Sequence, residues 1–233
     1  MPVPVAVIGA NGYVGRALCN ALASNPEVIL TCVNRENYAR MQKKSFSILI
    51  NAAMPSKRLW AKNNPDKDFV ETVQKTADLV YGWRFKKFIQ ISTLSARCQL
   101  DTVYGRNKAA AEKLCGFGDN LIVRLGPMYS KDLNKGVLVD MLEGRKAFVD
   151  GESKYCFAPL EFSSSWVASN LDCSGTIEVG ARNSIRLREV ADYLGTSVEF
   201  AGAIDNQEVD KPADVYPDAR DVLVFLDIIR KQK

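Results

Sequence analysis

The stretch "VPVAVIGANGYVGRALCNALASN", residues 3–25, decides the fold. It opens as a β-branched apolar run ending on Gly9, the pattern of a parallel strand buried on both faces. From Tyr13 onward its apolar residues recur at helical spacing. Between the two halves stand Gly9, Gly12 and Gly15, spaced G-x-x-G-x-x-G. Gly9 allows a tight exit from the strand, Gly12 lets backbone N–H groups approach a pyrophosphate, and Gly15 lets the helix pack closely on the sheet. The helix N-terminus then faces the phosphates with its partial positive charge. In this strand-turn-helix setting the stretch reads as a dinucleotide-binding turn contacted through Gly9, Asn11, Gly12, Tyr13, Val14 and Gly15. A purely structural turn is the bland alternative.

Working outward, "EVILTCV" (27–33), "FSILINAAM" (46–54), "KKFIQIST" (86–93) and "NLIVRLG" (120–126) read as further strands. "DFVETVQKTADLVYGW" (68–83) and residues 102–116 read as helices between them. The alternation predicts an α/β fold: a Rossmann-type doubly wound parallel sheet spanning residues 1–126. Beyond Gly126 the regularity stops. "KGVLVDMLEGR" (135–145) reads as a helix, "KAFVDG" (146–151) and "KYCFAPLEF" (154–162) as extended pieces, and "TIEVG" (176–180) as a strand. "SIRLREVADYLG" (184–195) is a helix with a serine cap and a glycine stop, and "PDARDVLVFLDIIRKQ" (217–232) is the closing helix. Residues 127–233 are therefore expected to form a small C-terminal lobe, partly interleaved with the first domain.

The second strand ends in "CVNREN", with Asn34 and Arg35 where NAD-preferring proteins place an acid for the ribose 2′-OH. A guanidinium suits a 2′-phosphate, so NADP is expected, with NAD as the alternative because Glu36 stands beside Arg35.

Composition sets limits. The chain has 233 residues, 47% of them hydrophobic, and a net charge of +4 without a basic block. Nucleic acid is not an expected partner. The six cysteines are scattered, with no C-x-x-C, and read as small buried hydrophobes. No apolar run approaches the ~18 residues of a membrane span, and no basic-then-apolar leader precedes the first strand. A cytoplasmic setting and no membrane partner are expected. Histidine is absent, which removes Ser-His-Asp and Cys-His chemistry and most zinc catalysis, and no metal site is expected.

Proton chemistry must then use other groups. In "TVYGRNKAAAEKL" (102–114), Tyr104 and Lys108 share one helix face. Their helix follows "FIQIST", whose end lies at the carboxyl edge of the sheet, where ligands bind. A surface pair is the bland alternative.

Together, "GANGYVG", "LINAA", "IST", "YGRNK", "VRLGPMYS" and "GTIEVGARNSIRLREVADYLG" resemble the extended short-chain dehydrogenase/reductase superfamily of nucleotide-sugar epimerases, dehydratases and reductases. The resemblance implies Tyr104 as proton donor or acceptor, Lys108 as its partner and ligand to the nicotinamide ribose, and Thr93 as donor to the substrate oxygen. Ser92 and Ser95 stand as alternatives for Thr93. Ala52 and Ala53 would line the cofactor, and the lobe would bind substrate. Lys108 and the cofactor are expected to lower the Tyr104 pKa.

Leu94 and Ser95 occupy positions where family dehydratases carry an acidic pair, which leaves epimerisation or reduction of a nucleotide sugar. Reduction of a small carbonyl compound and non-catalytic dinucleotide binding are the alternatives. The chain departs from the family in the short span from Arg35 to "LINAA", which leaves no room for the usual third strand. Arg145, Lys146, Lys154, Arg182 and Arg186 are candidates for a substrate diphosphate, though each singly reads first as surface charge. A homodimer packed through residues 68–82 and 102–116 is also implied, with Val73, Ala77, Val80, Ala109, Ala110 and Leu114 on the candidate faces.

Overall fold

The computed structural model describes residues 1–231. The chain forms two compact units: Met1–Arg124 with Ser164–Ile177, and Leu125–Ser163 with the described residues from Glu178 onward. In order, the elements are β1 (Val3–Ile8), α1 (Tyr13–Ala23), β2 (Val28–Val33), α2 (Tyr38–Met41), β3 (Ser45–Asn51), α3 (Arg58–Asn63), α4 (Pro65–Phe69), a π-helical turn (Val70–Gln74), α5 (Lys75–Gly82), β4 (Arg84–Thr93), α6 (Ser95–Cys98) and α7 (Val103–Cys115). They continue with β5 (Leu121–Leu125), β6 (Met128–Tyr129), α8 (Val137–Leu142), β7 (Lys154–Tyr155), β8 (Ala158–Pro159), α9 (Leu160–Ser169), β9 (Gly175–Val179), β10 (Ile185–Arg186), α10 (Leu187–Leu194) and α11 (Asp221–Arg230).

The six-stranded sheet runs β2-β1-β3-β4-β5-β9. Strand β1 pairs in parallel with β2 and β3, and β3 pairs in parallel with β4. This is the predicted Rossmann-type α/β architecture, and β2 is an edge strand, as the missing third-strand unit requires. Only residues 34–44 separate β2 from β3, and they hold the single turn α2. That turn is still anchored. Tyr38 meets Trp83 edge-on at 5.1 Å and accepts a 3.1 Å hydrogen bond from Trp83 Nε1. Both rings join a core of Ala6, Ile8, Val33, Phe46, Leu49, Leu79, Phe88 and Ile122. A fully buried side chain such as Leu49 or Phe88 contributes about 1.5–3 kcal/mol.

The expected single helix over 68–83 is interrupted by the π-helical turn. Asp68, Thr72 and Thr76 are all fully buried, and Thr76 Oγ1 donates to Thr72 O at 2.7 Å. In a straight α-helix, positions four apart drift about 40° per step. A wider turn cancels much of that drift and keeps three polar residues on one inward face.

Helix α7 begins where the sequence places it. Thr102 caps it, its Oγ1 accepting from Gly105 N–H at 3.0 Å. In the second unit the closing helix α11 starts at Asp221, beyond Pro217, and residue 232 of the expected span lies outside the described residues. Helix α10 starts two residues later than its serine-cap reading, because Ile185 and Arg186 first pair antiparallel with Tyr155 and Lys154. Its glycine stop is in place: Gly195 takes φ +62°. The segment expected to stay extended to Phe162 instead turns into α9 at Leu160. Arg145, Lys146, Arg182 and Arg186 each face a carboxylate of their own unit.

Of the faces nominated for a dimer, Val73 and Val80 are buried within the chain, Ala77, Ala109 and Leu114 are half-buried, and Ala110 is exposed.

Candidate active site

The three glycines at the end of β1 do different work. Gly9 has φ +82°, and a Cβ there would lie 2.7 Å from Ala53 Cα. A Cβ on Gly15 would lie 2.1 Å from Gly9 O, so α1 approaches the strand exit as closely as a backbone can. At Gly12 a Cβ would meet only Gly9 O, at 3.2 Å, and otherwise open space. Helix α1 has no side-chain cap and no acid in its first turn. That uncapped positive end fits a phosphate.

Gly9 N and Ala10 N both donate to Val33 O at 3.1 Å, and Ala52 N donates to Ile8 O at 3.0 Å. The turn is therefore tied to the ends of β2 and β3, which brings Ala52 and Ala53 beside Gly9. Asn51, fully buried, fixes that end: its Oδ1 accepts from Ala53 N–H, and its Nδ2 donates to Gln90 Oε1 and Thr76 Oγ1. Asn11 is exposed, and Tyr13 and Val14 open α1 half-buried.

At the end of β2, Asn34 is occupied by the turn. Its Oδ1 accepts from Glu36 and Asn37 N–H groups, while Asn37 Oδ1 accepts from Asn34 N–H. Arg35 is exposed on that turn.

On the other side of the sheet edge, Thr93, Tyr104 and Lys108 come together. Tyr104 and Lys108 are 7% and 3% exposed, which removes the surface-pair alternative. Lys108 Nζ lies 5.1 Å from the Tyr104 ring centroid and donates to Pro55 O at 2.7 Å. The Thr93 side chain lies near enough to the Tyr104 hydroxyl to favour its ionised form. Ser92 is taken up elsewhere: its Oγ donates at 2.6 Å to Glu112 Oε1, one turn beyond Lys108 on α7, beside Arg124. Ser95 stays close: its N–H donates to Thr93 Oγ1 at 3.3 Å, and its Oγ accepts from Arg58 Nη2 at 3.2 Å.

The electrostatics differ from expectation. Burial raises the Tyr104 pKa, Arg58 and the Thr93 side chain pull it back, and Asp68 pushes it up. The phenol is thus not lowered in the chain by itself, and the charge that opposes burial is Arg58 rather than Lys108. Burial lowers the Lys108 pKa to about 7, with Asp68 opposing.

Arg58 and Asp68 were not visible as site residues in the sequence. Asp68 is fully buried, accepts from Asn107 Nδ2 at 2.8 Å through Oδ2, and leaves Oδ1 without a hydrogen-bond partner among the described residues. At the start of a predicted helix an acid reads as a dipole partner. Only the π-helical turn shows that it faces inward. No cluster of potential metal ligands and no helix long and apolar enough to cross a membrane occurs among the described residues.

Residues 5–117 match the model of the NAD dependent epimerase/dehydratase family. The likeness to that family is carried by those residues, just under half of the chain. The match bears out the resemblance seen in the sequence and covers every site residue named above. No curated protein matches the sequence. Solved structures of the same fold extend over nearly the whole chain. The dTDP-4-dehydrorhamnose reductase from Bacillus anthracis, in complex with NADP, has a TM-score of 0.76 at 17% identity, covering 97% of this chain and 99% of that one. A dTDP-4-dehydrorhamnose reductase from Clostridium acetobutylicum reaches 0.78 at 14% identity, with 97% and 99% coverage. A variant UDP-glucuronic acid 4-epimerase from Bacillus cereus, with a fluorinated UDP-sugar and NAD, reaches 0.74 at 16%, covering 99% and 100%.

Two outcomes follow from this geometry. Gly15→Ala is expected to lose the native fold or several degrees of thermal midpoint, whereas Gly12→Ala keeps the midpoint and weakens NADPH binding about tenfold or more. Calorimetry with a fluorescence titration separates the two, and equal effects would contradict the division of labour among the glycines.

The second outcome concerns pH. The unfolded chain holds the Lys108 proton up to its ordinary pKa of 10.5, while the folded chain releases it near 7. The unfolded state binds more protons between these values, so this group makes stability rise with pH from about 7. Denaturant unfolding of the cofactor-free chain at pH 7 and 8.5 should show that rise relative to Lys108→Met. Parallel pH dependences in the two proteins would refute the assignment.

Proposed function

We propose that this chain is an NAD(P)-dependent enzyme acting on a nucleotide sugar, as a reductase or epimerase, with Tyr104 as the acid/base. The observation that carries the proposal is the cluster of half-buried Thr93 with buried Tyr104 and Lys108 on the family's own sheet edge, at the end of β4. The residues of the glycine turn fit a dinucleotide: Gly12 leaves backbone approach open, and α1 offers uncapped N–H groups. Gly9, Asn11, Gly12, Tyr13, Val14 and Gly15 would hold the pyrophosphate, and Ala52 and Ala53 would lie along it. Arg35, presented by the Asn34–Asn37 turn, would take a 2′-phosphate, which favours NADP over NAD.

When bound, the nicotinamide supplies or accepts the hydride. The chain's part is proton transfer and orientation. Thr93 Oγ donates to the substrate oxygen and holds it against the Tyr104 hydroxyl. With its pKa raised by burial, Tyr104 enters as an acid and gives its proton to a carbonyl oxygen as the neighbouring carbon is reduced. The tyrosinate left behind faces the Arg58 guanidinium, whose positive charge stabilises it. The reverse sequence oxidises an alcohol. Lys108, carried on the same helix face, would also hydrogen-bond the nicotinamide ribose.

A cytoplasmic location and a homodimer complete the reading. The dimer would use exposed Phe69, Val70 and Ala110. Sedimentation at micromolar concentration is expected to show a species of twice the 25.8 kDa chain mass, and a monomer alone would remove the dimer.

The decisive experiment pairs identification of any retained dinucleotide by mass spectrometry with Tyr104→Phe. The variant should bind NADPH as the unaltered chain does and lose at least about a hundredfold in turnover of nucleotide-sugar substrates. Full activity in the variant would overturn the acid/base assignment. Failure of the unaltered chain to bind either NADPH or NADH would overturn the enzyme reading.

A further inference from the structure

One feature of the first unit lies outside this chemistry. Cys19, on the buried face of α1, and Cys32, on the edge strand β2, place their sulfurs 2.8 Å apart. Cys19 is buried and Cys32 is exposed, and neither is in a disulfide. Cys32 sits opposite Val7 in the β1–β2 register, one residue before the Val33 carbonyl that anchors the glycine turn. The pair exists because β2 has no strand beyond it: an edge position leaves Cys32 open to solvent while α1 presses Cys19 onto it from the sheet face.

We propose that Cys19 and Cys32 form an oxidation site, a dithiol that a peroxide-class oxidant converts into an intramolecular disulfide clamping α1 to β2. Bonded sulfurs stand about 2.05 Å apart, so closure needs about 0.8 Å of approach. Cys32, the accessible sulfur, meets the oxidant first. Its sulfur displaces water from hydrogen peroxide and becomes a sulfenic acid. Cys19 sulfur then attacks that centre, the S–S bond forms, and the Cys19 proton leaves with the departing hydroxyl as a second water. Two thiols lose two electrons and two protons, and the peroxide is reduced to two waters. Burial holds the Cys19 thiol up to about 12, which leaves the exposed Cys32 as the sulfur the oxidant meets first.

The disulfide clamps the two elements that carry the cofactor turn, α1 through its N-terminus and β2 through Val33. Its consequence is a locked turn rather than a broken one. The site depends only on the sulfur geometry and stands or falls separately from the proposed reaction.

The sequence supplies a direct test. Cys19 and Cys32 lie together on the single tryptic peptide 17–35, with Glu27 between them. The full-length folded chain is treated with about a tenfold excess of hydrogen peroxide, alkylated and digested. Peptide 17–35 is expected two mass units lighter, resistant to alkylation until reduced, and still joined after cleavage at Glu27. Cys19→Ser should convert the product into an oxygen adduct on Cys32, and Cys32→Ser should leave Cys19 alkylatable only after unfolding. Any of three results would overturn the proposal: both cysteines alkylated after treatment, oxygen adducts on Cys32 in the unaltered chain without cross-link, or Cys32 joined to a different cysteine.

Discussion

Helix α1 can lie against the exit of β1 only because two residues have no Cβ. The Gly9 carbonyl occupies the space that a Gly15 side chain would need. That contact sets the height of α1 over the sheet, and with it the direction of its N-terminus. From there the constraint spreads. The Val33 carbonyl accepts from both Gly9 and Ala10, and Ile8 accepts from Ala52. Three strand ends are thereby levelled, and the fourth, Thr93, follows through the β3–β4 register. Tyr104 and Lys108 meet Thr93 because α7 starts at a cap only nine residues beyond it.

How far the sequence goes depends on the range of the signal. Gly9, Gly12 and Gly15 act on neighbours within a few residues, and their spacing alone announces the turn. The Tyr104–Lys108 spacing is a local property of one helix and was equally plain. Arg58 and Asp68 reach the same phenol from α3 and α4, about forty residues away in the chain, and nothing in their own surroundings marks them. The π-helical turn is similar: Thr72 and Thr76 look like indifferent helix formers until their burial is known. Helix α9 was hidden for another reason. "LEFSSSWVAS" is rich in serine, a residue that favours caps and turns, and packing overrides that preference.

The polarity of the site is where physical reasoning from spacing misleads. A lysine one turn from a tyrosine suggests an ammonium that acidifies a phenol. Burial changes both partners at once. Each loses solvation, so the phenol holds its proton more tightly while the ammonium holds its own less tightly. A chain that begins with a protonated tyrosine and a lysine titrating near neutrality has a different resting state from a preformed tyrosinate pair. The remaining fixed charges, Arg58 on one side and Asp68 on the other, then decide where a proton settles.

The edge position of β2 bears on cofactor choice as well. In a sheet with a further strand, the ribose-reading turn is flanked on both sides. Here the Asn34–Asn37 turn is held by its own side-chain hydrogen bonds, and Arg35 projects into water. A charge in high dielectric attracts a 2′-phosphate weakly at distance and is screened within about 8–10 Å at physiological ionic strength. Preference for NADP exerted through Arg35 must therefore weaken as salt is added, while pyrophosphate binding at the uncapped end of α1, built from backbone N–H groups, loses less. Trimming the sheet's edge leaves the shared part of dinucleotide recognition in the core of the fold and moves the discriminating part to its surface.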